Sequence, residues 1–398
     1  MDFGVKFLSG DSLNDDDFSQ LVSDAEITSR KLTRVPKRTR YANSWAIGTW
    51  KKWAIWRNEK MSMEGSTSDS KFEKVPLLDV DIVSEEELGY WLTRFVLEVR
   101  REDKKPYPPE TLWNICCGIQ RYVRQFKCSL HIFNELDANF VDFYQCLDSR
   151  MKELSSDGIG MKKKRAEPIT KGDEKQLWDT STISLDSSSG LLNGVFLYGC
   201  KIFGLRSVDE HRHLTAEQFN FSIDPESCTE VLTFHGKTCK TNQGGIKDRH
   251  VEEKIIEQYA DEENDRCVVK LFKKYLGLIP KNGSFYRRAM KELPGEREPR
   301  FSTQCVGVNT LKMMIKKMFE EAGIPTEGRN ITNHSGKVTC ATNLFMANFD
   351  DKMVRSRTGH TSDALQTYKR PSKDMEKKGQ QSFTTTPKTT CDINRNVE

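Results

Sequence analysis

Apolar residues recur at helical spacing in four successive stretches between residues 41 and 150, and this pattern most narrows the folds open to the chain. In YANSWAIGTWKKWAIWRNEK, Ala46, Trp50 and Trp53 share a face with Trp45 and Trp56 flanking it. The polar run MEGSTSDSK follows. Ser84 and Glu87 then make a capping box ahead of Leu88, Trp91, Leu92, Phe95 and Val96. Pro108 and Pro109 open a third helix, whose face carries Leu112, Ile115, Cys116, Ile119, Tyr122, Val123 and Phe126. Phe133, Leu136, Phe140, Phe143 and Leu147 predict a fourth. Four amphipathic helices in about 110 residues read as a compact helical bundle.

Residues 1–40 lack a sustained apolar period and are expected to form a disordered arm, apart from a short helix near 15–28. Acid gathers at its start, in DDD at 15–17 and Glu26. Base follows in SRKLTRVPKRTR, with Arg30, Lys31, Arg34, Lys37, Arg38 and Arg40. The stretch 155–173, SSDGIGMKKKRAEPITKGD, mixes Gly, Ser, Pro and charge and reads as a linker between a 41–154 bundle and a second domain over 174–375. Its KKKR run (Lys162, Lys163, Lys164 and Arg165) suits a nuclear address or DNA-backbone contacts as well as a solvated linker. Beyond it, LLNGVFLYGCKIFGLR reads as a buried helix, and TEVLTFHGKTCKTNQGGIKDR alternates like a hairpin with a Gly-rich turn. DRCVVKLFKKYLGLIP and VNTLKMMIKKMFEEAGI are amphipathic, the latter ending at Gly323. Residues 331–370 give two or three short helices, with Asn333 and Ser335 as capping residues around His334. The tail 376–398 is expected to be disordered. The fold class that follows is mainly α with a small β-hairpin or sheet, α+β.

Composition excludes some classes. No run of about 18 apolar residues exists to span a membrane. The acidic N-terminus lacks the apolar core of a secretion signal. Eleven cysteines, an odd number and scattered, argue for reduced thiols, and no CxxC pair suggests zinc. The net charge of +4 decides nothing by itself.

Several polar residues in the second half are ordinary when taken singly. Arg206 ends a buried helix in FGLRSVDE, and Lys237 sits at a hairpin turn in FHGKTCK. His334 and Lys337 lie in ITNHSGKVTCATNLF, His360 follows a helix-ending glycine in RTGHTSDA, and Tyr368 lies in LQTYKRP. Their order is more specific. A GLR with an acid three residues on (Arg206, Asp209) precedes a hairpin GK (Gly236, Lys237). An H-x-x-K (His334, Lys337), a GH (Gly359, His360) and a tyrosine (Tyr368) follow, all within about 165 residues. This series resembles the catalytic domain of tyrosine recombinases, the phage-integrase-like superfamily. YANSWAIGTWKKWAIWRN, YPPETLWNICCGIQRYVR and NHSGKVTCATNLF narrow it. They resemble the Crypton-type recombinase-like proteins of animals, whose domain also occurs at the C-terminus of MYM-type zinc-finger proteins. The likeness covers roughly residues 40–375.

The resemblance implies a helical SAM-like core-binding domain followed by a recombinase-like catalytic domain, the two forming a clamp on double-stranded DNA. It also implies self-association on DNA, a nuclear location, and neither metal nor small-molecule cofactor. Arg206 would clamp the scissile phosphate and Lys237 would protonate the leaving oxygen. His334 and His360 would assist the phosphate and Tyr368, which would form a 3′-phosphotyrosine for DNA integration or recombination. Preorganised cations around such a transition state are usually the largest catalytic contribution. Lys337 stands where the family has arginine, so a planar two-pronged donor becomes a single compact charge. Losing one such donor typically costs about 2.7–4 kcal/mol. The step from His360 to Tyr368 is also about one residue shorter than in phage-type enzymes. Neither departure deletes a required group. An alternative is a domesticated, non-catalytic nuclear DNA-binding protein acting in chromatin or transcription. A third reading, an interaction scaffold, predicts no salt-sensitive DNA affinity.

Overall fold

The computed structural model describes residues 20–64, 70–78, 83–161, 164–205, 208–237, 245–246, 249, 253–291, 298–359, 363–369 and 380. It divides into two compact units that part between Lys163 and Lys164.

In the first unit, α1 (Asp24–Thr33) is followed by α2 (Lys37–Glu64), α3 (Glu85–Glu98), α4 (Pro109–Val123) and α5 (Val141–Ser156). The core gathers Trp50, Trp91, Phe95, Phe140 and Phe143, all without solvent exposure. Trp50 donates its indole N–H to the Pro76 carbonyl at 2.7 Å and Trp53 donates to Glu98 at 3.1 Å, whereas the buried Trp91 indole N–H has no hydrogen-bond acceptor among the described residues.

Several local expectations are corrected here. The short helix expected near 15–28 runs instead over residues 24–33, because Ser23 caps the Glu26 N–H at 3.2 Å and Glu26 pairs with Arg30. The next helix begins at Lys37, not at residue 41. Ser84 caps the Glu87 N–H at 3.1 Å as expected. Helix α4 stops at Val123, which leaves Phe126 outside it and half exposed. Residues 133–140 form turns instead of helix. Leu136 is 90% exposed and Phe140 is the N-cap of α5, so the apolar spacing there reports irregular packing.

In the second unit, α6 (Lys171–Asp179) starts inside the stretch expected to be a linker. Thr170 and Asp173 form a reciprocal capping box, and Arg329 grips the Asp173 carboxylate at 2.7 and 3.0 Å. Burial pushes the Asp173 carboxyl up, but Arg329 and Thr170 outweigh it and hold the group below the usual carboxylate range. Within the KKKR run, Lys164 and Arg165 are exposed, whereas Lys162 and Lys163 lie outside the described residues.

Helix α7 (Ser188–Lys201) is buried on nearly every side, with Leu191, Val195, Phe196, Leu197 and Cys200 at 0% exposure. Each such large aliphatic or aromatic side chain contributes about 1.5–3 kcal/mol. After the short α8 (Val208–Arg212) comes an antiparallel sheet, β1 (Phe219–Ile223), β2 (Glu230–Gly236) and β3 (Lys254–Tyr259), in that order. β2 lies in the stretch expected to be a hairpin, but its return strand β3 begins beyond that stretch at Lys254, and β1 was not expected. The β2–β3 pair is antiparallel. Its register sets Gly236 opposite Lys254. Then follow α9 (Val268–Leu278), a small ribbon of β4 (Arg287–Ala289) and β5 (Phe301–Cys305), and α10 (Val308–Glu321). The described chain continues through α11 (Asn333–Met346), α12 (Asp351–Thr358) and a 3-10 turn, Asp363–Tyr368. Gly323 closes α10 in the left-handed region at φ 65°. The tail 376–398 lies outside the described residues, apart from residue 380.

Candidate phosphate-binding site

Helix α11 starts at a capping box in which Ser335 takes part as expected, but Asn333 does not. Thr332 is the N-cap, bonded reciprocally with Ser335. Asn333 instead turns to α10, donating to the Leu311 carbonyl at 2.6 Å. His334, in the first turn, thus sits at a helix N-terminus of 14 residues, where backbone N–H groups and the helix dipole favour an anion.

The ring of His334 meets Tyr368. Nε2 of His334 lies 2.8 Å from the tyrosine hydroxyl, with ring centroids 5.9 Å apart at 62°. Both residues are partly exposed. The tyrosine is held by its neighbours. Leu365 is fully buried with Ala341 and Val354, and Tyr368 packs against that small cluster. Asp351 accepts from Gln366 at 2.7 Å and pairs with Lys369 at 2.8 Å, pinning the turn on both sides of Tyr368.

Lys337, one turn along α11, is only 2% exposed. Its ammonium donates to the carbonyl of Thr358, the last residue of α12. A cation at a helix C-terminus is favourable, so this lysine also fastens α11 to α12. Gly359 follows at φ 66° as the left-handed cap of α12. Lys237 emerges directly after β2, exposed, and donates to the Thr215 hydroxyl at 3.1 Å. Arg206 and His360 lie outside the described residues. Their neighbours converge nevertheless: a side chain begun at Gly204 would meet the Arg357 carbonyl oxygen at 3.0 Å.

Two cations at this convergence escaped sequence reading. Lys254, at the start of β3, donates to the Phe203 carbonyl at 2.5 Å. Its Nζ lies 3.5 Å from where a Cβ on Gly204 would stand and 3.9 Å from one on Gly359. Arg357 reaches the Glu257 carbonyl at 3.0 Å, and burial lowers its pKa. The thiol of Cys340 reports the resulting field. Burial pushes it up, while Lys254, Arg357, Lys337 and Lys201 all pull against that shift. The only hint in the sequence was the opposition of Lys254 to Gly236 across the hairpin, which needs the register to be known.

Beneath the site, Cys200 Sγ lies 3.2 Å from Nε2 of His211, whose Nδ1 lies 2.9 Å from the Tyr286 hydroxyl. Burial drives His211 down to about 3 and raises the Tyr286 phenol, so this network is neutral and structural at ordinary pH. Among the described residues no group of three or more His, Cys, Asp or Glu could hold a metal ion.

The chain is similar in sequence to two domain families and to longer curated proteins. Residues 40–154 match the QRICH1 domain and residues 168–320 match a domain of unknown function, DUF3504. It is 25% identical over 334 residues to zinc finger MYM-type protein 3 of Homo sapiens, covering 77% of this chain and 24% of that protein. It is 26% identical over 256 residues to the transcriptional regulator QRICH1 of Homo sapiens, covering 60% of this chain and 32% of that protein. The chain thus spans about a quarter to a third of the length of these curated relatives. Among solved structures it is similar to the Tn1549 transposon integrase in complex with transposon right end DNA, at 13% identity and a TM-score of 0.44, covering 89% of this chain and 96% of that one.

Proposed function

We propose that this chain is a nuclear, tyrosine-recombinase-like DNA-binding protein whose α11 pocket receives a backbone phosphate, with Tyr368 as the group that would attack it. The observation that carries this reading is the 2.8 Å contact between His334 Nε2 and the Tyr368 hydroxyl. A phenol with an ordinary pKa near 10 needs a proton acceptor to become a nucleophile, and a neutral imidazole within hydrogen-bond reach supplies one. The N-terminus of α11, with Lys254 and Lys237 as proposed cations, would favour the charge that gathers on the nonbridging oxygens. Transesterification would join Tyr368 Oη to the 3′-phosphate and release a 5′-hydroxyl. Lys237 remains the proposed proton donor to that oxygen, and Arg206 and His360 remain proposed partners of the phosphate. Recombination on paired sites would require self-association. Denaturing gels of protein incubated with pooled duplexes test the cleavage step. A covalent adduct that disappears in Tyr368→Phe supports it.

A specific observation favours the second reading, a binding module without strand exchange. Lys337 spends its ammonium on the Thr358 carbonyl from a buried position, where the family's arginine would grip phosphate. The name of the relative QRICH1, a transcriptional regulator, fits that reading too. Salt-sensitive duplex binding with no adduct from the wild-type chain would establish the module and overturn cleavage.

A further inference from the structure

The first unit holds a cleft that the α11 pocket does not involve. It measures about 940 Å³ and runs along α2, with the turn between residues 98 and 107 as its other wall. Trp45, Thr49, Lys52 and Trp56 recur at helical spacing, so all four fall on the stripe of α2 that lines it. The same helix buries Trp50 completely, yet it leaves Trp45 and Trp56 at 47% and 45% exposure. Tyr107 supports Trp45 edge-on, with centroids 6.0 Å apart at 79°.

The charges at the rim narrow the occupant. Glu102 is paired with Lys52 at 2.9 Å, Asp103 with Arg101 at 3.3 Å, and Glu98 with Arg57 at 3.2 Å. Every acid on the rim therefore faces a cation already, while Arg100 and Lys104 add positive charge beyond those pairs. Lys104 stands at the tip of the far wall, in the left-handed region at φ 62°. A cationic ligand such as a methylated lysine would meet this excess, despite the aromatic walls. A ligand combining flat rings with negative charge suits both features. Unpaired nucleic acid has that chemistry: bases stack on indoles and phosphates lie against lysines. Duplex DNA keeps its base faces stacked on each other and does not offer them.

We propose that this cleft binds an unpaired stretch of nucleic acid, one base stacked on Trp45, another on Trp56, and the backbone between them against Lys52. Eleven residues of helix separate the two indoles by about 16 Å, so they take different bases of one strand rather than sandwiching a single one. The Lys52–Glu102 pair is exposed and is readily exchanged for a phosphate contact. The site goes beyond the α11 pocket and shares no residue with it.

Fluorescence anisotropy of the whole chain with labelled oligo(dT), oligo(rU) and a matched duplex tests the proposal. Trp45→Ala and Trp56→Ala should each weaken single-strand binding by about 5- to 150-fold, the loss of one stacked base, and leave duplex affinity within about twofold. Duplex affinity that stays unchanged in these variants separates this site from the α11 pocket. Tighter binding of one oligonucleotide identifies DNA or RNA as the source of the strand. Should an alanine variant prove misfolded by circular dichroism, Lys104→Glu supplies the same comparison, with a loss confined to the single strand. Equal losses on duplex and single strand, no loss from either tryptophan variant, or preference for a trimethyl-lysine peptide would overturn the proposal.

Discussion

The hydroxyl of Tyr368 lies 2.8 Å from Nε2 of His334, across 34 residues of sequence. Two separate anchors make that distance possible. The capping box at Thr332 starts α11 so that His334 falls in its first turn. Asp351 and the buried Leu365 fix the 3-10 turn that ends at Tyr368. Removing the imidazole should therefore disable the tyrosine without unfolding the domain. His334→Ala is expected to slow formation of the covalent adduct by about 10²- to 10⁴-fold, the usual contribution of a positioned base, with the melting temperature little changed. A rate equal to wild type would assign the proton to another group.

Lys337 connects two helices from a buried position. Lys337→Met keeps the aliphatic stem but strips the Thr358 carbonyl of its charged donor. Hydrogen bonds to charged groups are worth about 1.5–3 kcal/mol, and urea unfolding should show a loss of that order. Stability equal to wild type would mean that this bond contributes nothing net.

Gly336 allows α11 to approach α7. A Cβ at this position would begin 2.4 Å from Cys200 Cβ and 3.4 Å from its backbone, neither of which is the free end of a flexible side chain. Gly336→Ala should cost about 1–3 kcal/mol by overpacking, read as a lower melting temperature. Because His334 and Lys337 flank it, weaker DNA binding should accompany that loss.

His211 gives the second unit a dependence on pH. Burial lowers its pKa from 6.5 to about 3, so the unfolded chain binds a proton that the folded chain refuses between those values. The stability it contributes is full above pH 6.5 and is lost progressively as pH falls toward 3. Urea midpoints should drop between pH 7 and 5, and His211→Gln should flatten that part of the curve. An unchanged slope would show that other groups set the acid limit.

What was legible in the sequence follows its periodicity. Ala46, Trp50 and Trp53 were placed on a core face by spacing, and Ser84 by its position before an apolar run. The same rule failed at 133–140, where Phe133 and Leu136 mimic a helical stripe in a run of turns. Local patterns do not reveal whether a neighbour will pack against them. At the site, Gly359 was readable as a helix-ending glycine and Tyr368 as part of a short helical stretch. The bond from Lys337 to Thr358 was not legible, because it depends on how α11 and α12 meet. Lys254 was missed for a similar reason: only strand register brings it opposite Gly236.

The central claim is that this chain holds DNA through its phosphates, with Lys237 at the end of β2 among the proposed contacts. Duplex affinity measured by anisotropy from 50 to 200 mM salt tests it most directly. The account predicts that log affinity falls linearly with log salt concentration, and that Lys237→Ala makes the slope shallower by about one. Affinity that does not change across that range, or no duplex binding at 50 mM, would contradict it.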